Sequence, residues 1–188
     1  MSLSITIDLS DQDLEYFLEA LRRAQASASH KTAQEITDAA GELLKTTDGK
    51  PVPDFIAQRL GKLESLINMV HDEGWAMADD DKRRVLTALA YFAEPEDVIP
   101  DSVPVVGYLD DAIMIELCVR ELKHEVEAYD DFCAFRTNEA EGRGLDAATL
   151  GRAEWLEERR VELQERMKRR RSSYGMGGGG GGTMFRIG

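Results

Sequence analysis

Apolar residues recur along most of the chain at helical spacing, and the pattern predicts a bundle. Leu14, Phe17, Leu18, Leu21 and Ala24 follow one another at helical intervals behind Ser10, a capping residue, with Asp11 and Asp13 at the positive end of that helix. A second helix opens at Thr32 with Glu35 three residues on, the spacing of a capping box, and carries Ile36, Ala40, Leu43 and Leu44. The stretch TTDGKPVP at residues 46–53 ends it as a loop. A third helix presents Ile56, Leu60, Leu63, Ile67 and Val70 in four-three spacing, a bundle seam. Asp79, Asp80 and Asp81 give a fourth an acidic start ahead of Val85, Leu86, Leu89 and Phe92. The most regular stripe is Ile115, Val119, Leu122, Val126, Tyr129 and Cys133, which predicts one long central helix starting near Asp110.

A sixth helix is expected over residues 146–171. Its apolar stripe is thin, little more than Leu156, Leu163 and Met167, while Glu162 and Arg166, and Glu165 and Arg169, stand four apart as stabilising pairs. Such a helix is expected to be mostly solvated and to project from the bundle. Two segments leave the helical period. Ile5, Ile7 and Leu9 alternate with polar residues, which predicts a short strand over residues 4–9. At the other end residues 175–182, seven of them glycine, form a flexible linker ahead of Met184, Phe185, Arg186 and Ile187, a short sticky peptide that alternates as a strand would. The expected fold is therefore an all-α bundle of five to six helices with a short N-terminal strand and a flexible Gly-rich C-terminal tail. In domain terms these are a helical domain at 1–140, a projecting charged helix at 145–171 and a tail at 172–188. Pairing of strand 4–9 with the tail peptide, within one chain or between two, is one expected route to self-association.

Composition narrows the function classes. The chain has 188 residues, 43% hydrophobic and 31% charged, enough to fill a core and coat it. Its 23 basic and 36 acidic residues give a formal charge of -13, which argues against a nucleic-acid binder, since phosphate backbones are held by neutralising them. The charge is uneven. Residues 1–150 hold 14 basic and 31 acidic side chains, hence -17, and residues 151–188 hold 9 and 5, hence +4. Residues 94–131 alone carry 12 acids against Arg120 and Lys123, a net of -10, and read as a solvated acidic face or a docking surface for a basic partner. Cys118 and Cys133 form no CxxC pair and are expected to be reduced thiols on a helix. The N-terminal sequence lacks the basic and apolar regions of a secretory signal, and the apolar stretch at 103–119 is interrupted by Pro104, Asp110, Asp111 and Glu116. A cytoplasmic location is expected, with membrane contact at most peripheral, at the inner membrane surface.

Three prolines and a glycine interrupt helix in the segment EPEDVIPDSVPVVGYLDD. Pro95, Asp97, Ile99, Pro100, Asp101, Pro104, Gly107, Asp110 and Asp111 fall in the order and spacing that resembles the signature of the YkvA-type family, bacterial proteins of unknown function. The strongest part of that likeness lies at residues 91–115. Glu96 departs from it, standing where relatives usually carry an aliphatic residue. The resemblance implies a small helical domain and conveys no reaction, cofactor or substrate.

Read as chemistry, the segment is open to two interpretations. Each proline fixes its own φ and pushes the preceding residue towards extended geometry, so the loop is pre-shaped. Asp97 and Asp101 then serve as turn-formers, and Asp110 and Asp111 suit the positive end of the next helix. Alternatively Asp97, Asp101, Asp110 and Asp111 are oxygen ligands for Mg²⁺, Mn²⁺ or Ca²⁺. His124 lies thirteen residues past Asp111, about 20 Å along a helix, and cannot join such a site. His30 and His71 sit near helix ends as solvated caps. The run RMKRRR, with Arg166, Lys168, Arg169, Arg170 and Arg171, caps a helix C-terminus, contacts the acidic face in cis, reaches a second subunit or touches anionic lipid.

No phosphate-binding loop, dinucleotide fingerprint or nucleophile-base pairing is visible in the sequence. The expectation is a non-catalytic interaction or adaptor module with a protein partner and no resident cofactor. The alternatives are a divalent-metal enzyme built on the signature carboxylates and a peripheral membrane protein.

Overall fold

The computed structural model describes residues 7–94, 99, 107–147, 150–175 and 185–187. Seven α-helices are found among them: α1 (Asp11–Ser27), α2 (Ala33–Thr47), α3 (Asp54–His71), α4 (Asp79–Leu89), α5 (Leu109–Glu121), α6 (Lys123–Gly142) and α7 (Glu154–Gly175). Short 3₁₀ turns at Ala28–His30 and Ala90–Ala93 follow α1 and α4.

The first two helix starts form as their sequences dictate. The Ser10 hydroxyl accepts the Asp13 amide at 3.2 Å while the Asp13 carboxylate takes the Ser10 amide at 2.9 Å, and Thr32 with Glu35 repeats the box. Each box satisfies backbone donors that a helix start leaves orphaned.

The fold expected from the sequence needs three corrections. The strand over residues 4–9 is not a layer of the fold. Among the described residues, extended backbone is found at Ile7–Leu9, set antiparallel to Phe185–Ile187 with Ile7 opposite Ile187, and a pair of three-residue segments is too small to stand as a layer of its own. The long central helix is two helices. It breaks at Leu122, whose φ of -97° and ψ of 20° leave helical geometry although Leu122 is fully buried. The helix count therefore exceeds the expected five to six.

The last correction concerns α7. It does not stand off from the bundle but lies along α6, with Leu156, Leu163 and Met167 at 1%, 0% and 2% exposure. Three such side chains contribute about 2 kcal/mol each by burial and fix the face that α7 turns to α6. It starts eight residues later than expected, past Gly151, and runs on through residues 172–175, which were assigned to the tail.

Two apolar clusters result. The main core gathers Ile36, Ile56, Leu63, Leu66, Met69, Trp75, Leu89, Ile115, Leu122, Phe132, Leu156 and Leu163 from α2 to α7. A satellite cluster packs Phe17, Ala20, Leu21 and Ala24 of α1 on Tyr91, Ile113 and Met114.

Candidate functional site

Within the signature the structure describes Ile99, Gly107, Asp110 and Asp111. Pro95, Asp97, Pro100, Asp101 and Pro104 lie outside the described residues, as does Met184 of the tail peptide. Phe185, Arg186 and Ile187 are the three extended residues named above. Gly107 and Tyr108 are buried in the turn that starts α5, and Asp110 and Asp111 fall in the first turn of that helix at 1% and 8% exposure. The Asp110 Oδ2 accepts the Ile99 amide at 2.8 Å, across eleven residues of sequence. That bond ties the proline loop to the helix start, where the macrodipole favours a carboxylate. Among the described residues no group of three or more His, Cys, Asp or Glu is placed to hold a metal ion.

Among the described residues, Glu94, Glu116, Glu125, Glu127, Asp130 and Asp131 of the acidic run at 94–131 are engaged by cations of the same chain. Glu94 meets Lys31 at 3.1 Å, Glu116 meets Arg120 at 3.0 Å and Arg59 at 3.4 Å, and Asp130 meets Lys62 at 3.5 Å. Glu125, Glu127 and Asp131 face α7. Arg166 pairs with Asp131 and Arg170 with Glu127 at 3.0 Å, so positions four apart on α7 meet positions four apart on α6 in reverse order. This antiparallel ladder ends on Arg171, whose Nη1 is 2.6 Å from Asp81 and 3.0 Å from Glu125. Both carboxylates are buried, at 2% and 1% exposure, and Arg84 also reaches Glu125 at 3.1 Å. Lys168 stands 4.0 Å from Asp81, and Arg169 pairs with Glu165 at 3.7 Å. Of the two pairs expected within α7, Glu165 with Arg169 forms. Glu162 instead meets Arg159, because Arg166 is committed to α6. Beside the ladder an open depression of about 370 Å³ is lined by Asp80, Arg83, Arg84, Thr87 and Glu121.

A second polar centre carried no motif in the sequence. Asp72, just past α3, accepts the Gly74 and Trp75 amides at 2.8 and 3.1 Å, the Tyr129 hydroxyl at 2.9 Å, and both Arg136 terminal nitrogens at 3.0 and 2.8 Å. Burial alone would raise the Asp72 carboxyl. Arg136, the Trp75 amide and Tyr129 outweigh it and hold the group below the usual carboxylate range. Burial pushes the Tyr129 hydroxyl and the Cys133 thiol up.

The loop that Asp72 organises is tightly confined. A Cβ on Gly74 would fall 3.1 Å from Arg136, from Asp72 and from the Gly151 carbonyl. Ala76 takes a φ of 44°, in the left-handed region. Gln164 donates to the Trp75 carbonyl at 2.8 Å and Arg160 to that of Gly74 at 3.4 Å, so α7 grips this loop as well. The components are 57 and 64 residues apart in sequence, and Asp72 followed by Gly74 advertises only a turn.

The thiols and histidines complete the survey. Cys118 and Cys133 are both free. Cys118, donating to the Ala88 carbonyl at 3.1 Å, is pushed by burial up to about 12, which makes it a poor nucleophile at neutral pH. His71 meets the Thr37 hydroxyl at 2.8 Å, and His124 lies 4.0 Å from Glu127. No described helix is long and apolar enough to cross a membrane.

These features define a helical protein in which Asp110 ties Ile99 to the start of α5 and the charged helix α7 is clasped by α4 and α6. Residues 81–117, about a fifth of the chain, match the family model described as a protein of unknown function (DUF1232). That stretch runs from Asp81 through the signature into α5. Searches among curated proteins and among solved structures each return no match.

Proposed function

We propose that the chain is a YkvA-type interaction module, non-catalytic, in which the proline and aspartate loop at residues 95–111 is the surface that a partner protein recognises. The observation that supports this reading is the bond from the Ile99 amide to Asp110. A carboxylate committed to a backbone amide, and almost fully buried, holds the shape of a loop rather than a reactant. The formal charge of -13 favours a protein partner over nucleic acid, in a cytoplasmic setting.

The test is a quantitative pull-down from the source cell, with the intact chain and with Asp97→Asn plus Asp101→Asn as baits. Partners that are lost from the variant while its circular dichroism and Tm hold place recognition on the loop. An unchanged partner list sinks the proposal.

The second reading is a divalent-metal enzyme using Asp97, Asp101, Asp110 and Asp111. Its support is that the same bond draws Ile99, which lies between Asp97 and Asp101 in sequence, to the start of α5. Thermal shifts with millimolar Mg²⁺, Mn²⁺ and Ca²⁺ separate the two readings: a stabilisation abolished by Asp97→Asn favours the metal, and no shift removes it. Contact with anionic membrane through residues 166–171 has less support, because Arg166, Arg170 and Arg171 are engaged within the chain. Co-sedimentation with anionic vesicles, lost in Arg169→Glu, is the result that reading requires.

A further inference from the structure

Apolar docking of α7 ends at Met167. None of residues 168–173 is buried, yet the helix continues to Gly175. What holds this end is charge. Arg171 inserts one guanidinium nitrogen between Asp81 of α4 and Glu125 of α6, and Arg170 meets Glu127. Two buried carboxylates beside each other repel, and Arg171 between them, with Arg84 on Glu125, offsets that repulsion.

We infer that the last two turns of α7 are an autoinhibitory strap: they occupy, from within the chain, an acidic face of Asp81, Glu125 and Glu127 suited to an arginine-bearing helix. This rests on the reading of the chain as an interaction module but concerns a different surface from the signature loop. Arginine suits the slot because it stays charged at any working pH and is more weakly hydrated than an ammonium, so one of its terminal nitrogens can be set between two buried carboxylates at a lower desolvation cost. A helix suits it because Arg166 and Arg170 engage Asp131 and Glu127 one turn apart, so the face reads charges at four-residue spacing. The strap can lift without unfolding the bundle. Arg170 and Arg171 are 52% and 31% exposed, whereas Leu156, Leu163 and Met167 keep the rest of α7 docked.

The experiment uses the full chain and a labelled peptide of residues 163–175 as the basic helical probe. In the variant Arg170→Gln with Arg171→Gln, amide exchange over residues 168–175 quickens by roughly tenfold while residues 154–167 stay protected. The same variant binds the probe at least about tenfold more tightly than the wild-type chain in fluorescence anisotropy. Adding Asp81→Asn and Glu125→Gln abolishes that binding. Unchanged exchange, or a probe that binds both forms alike or neither, overturns the inference. Should the double variant fail to fold, Arg170→Gln alone decides, since its partner Glu127 is 41% exposed and no buried charge is stranded. It must show the same changes at smaller size. None of these substitutions touches residues 95–111, so the strap and the recognition loop stand or fall separately.

Discussion

Asp72 is partly buried and the Asp81–Glu125 pair fully so, and the two carboxylate centres are neutralised in different ways. Asp72 is served from four directions, by two loop amides, a tyrosine hydroxyl and a bidentate arginine, and Arg136 is itself only 15% exposed. Asp81 and Glu125 rely on cations that enter from the edge. Arg171 and Arg84 keep 31% and 40% of their side chains in solvent. The difference separates a fixed joint from a releasable one. A centre saturated by backbone donors and a forked guanidinium has no alternative partner to accept, whereas one closed by an exposed side chain can exchange it.

The largest effect that could break this contrast is expected from Arg136→Ala. It takes the charge partner from the Asp72 carboxylate, leaving the two loop amides and the Tyr129 hydroxyl, and costs about 3 kcal/mol in urea unfolding. Arg171→Ala should cost less, about 2 kcal/mol in the same measurement, because Arg84 still serves Glu125 and the vacated edge admits water to the two carboxylates. Equal losses from the two substitutions would erase the distinction.

A smaller effect lies in pH. Because Asp72 titrates below its unfolded value, its stabilisation is complete above about pH 4 and is lost as pH falls through the folded value. The stability gap between the wild-type chain and Asp72→Asn should therefore narrow from about pH 5 to pH 3. A gap that stays constant over that range would show that the native carboxyl is not held low.

What the sequence announces and what it conceals divide along a physical line. Capping boxes at Ser10 and Thr32 are readable because donor and acceptor lie three residues apart, and the seam of α3 is readable because periodicity is local. The break at Leu122 is not. The four-three stripe continues across it, and neither proline nor glycine marks it.

Helix α7 was expected to project because its stripe is thin. A stripe of three large side chains nonetheless docks it, and the charges on its flank face α6 rather than water. The sequence places Asp110 at the positive end of a helix, and it lies in the first turn of α5; its bond to the Ile99 amide, eleven residues back, had no local signal. The Asp72 centre was invisible, since each of its members is ordinary in its own neighbourhood.

The satellite cluster has a consequence for how the molecule opens. Helix α1 spends its apolar face on Tyr91, Ile113 and Met114 and contributes none of its own residues to the main core. A unit attached through one small patch is the first to exchange its amides, ahead of any global event. Its departure would bare Ile113 and Met114, now 4% and 0% exposed, on the shoulder of α5.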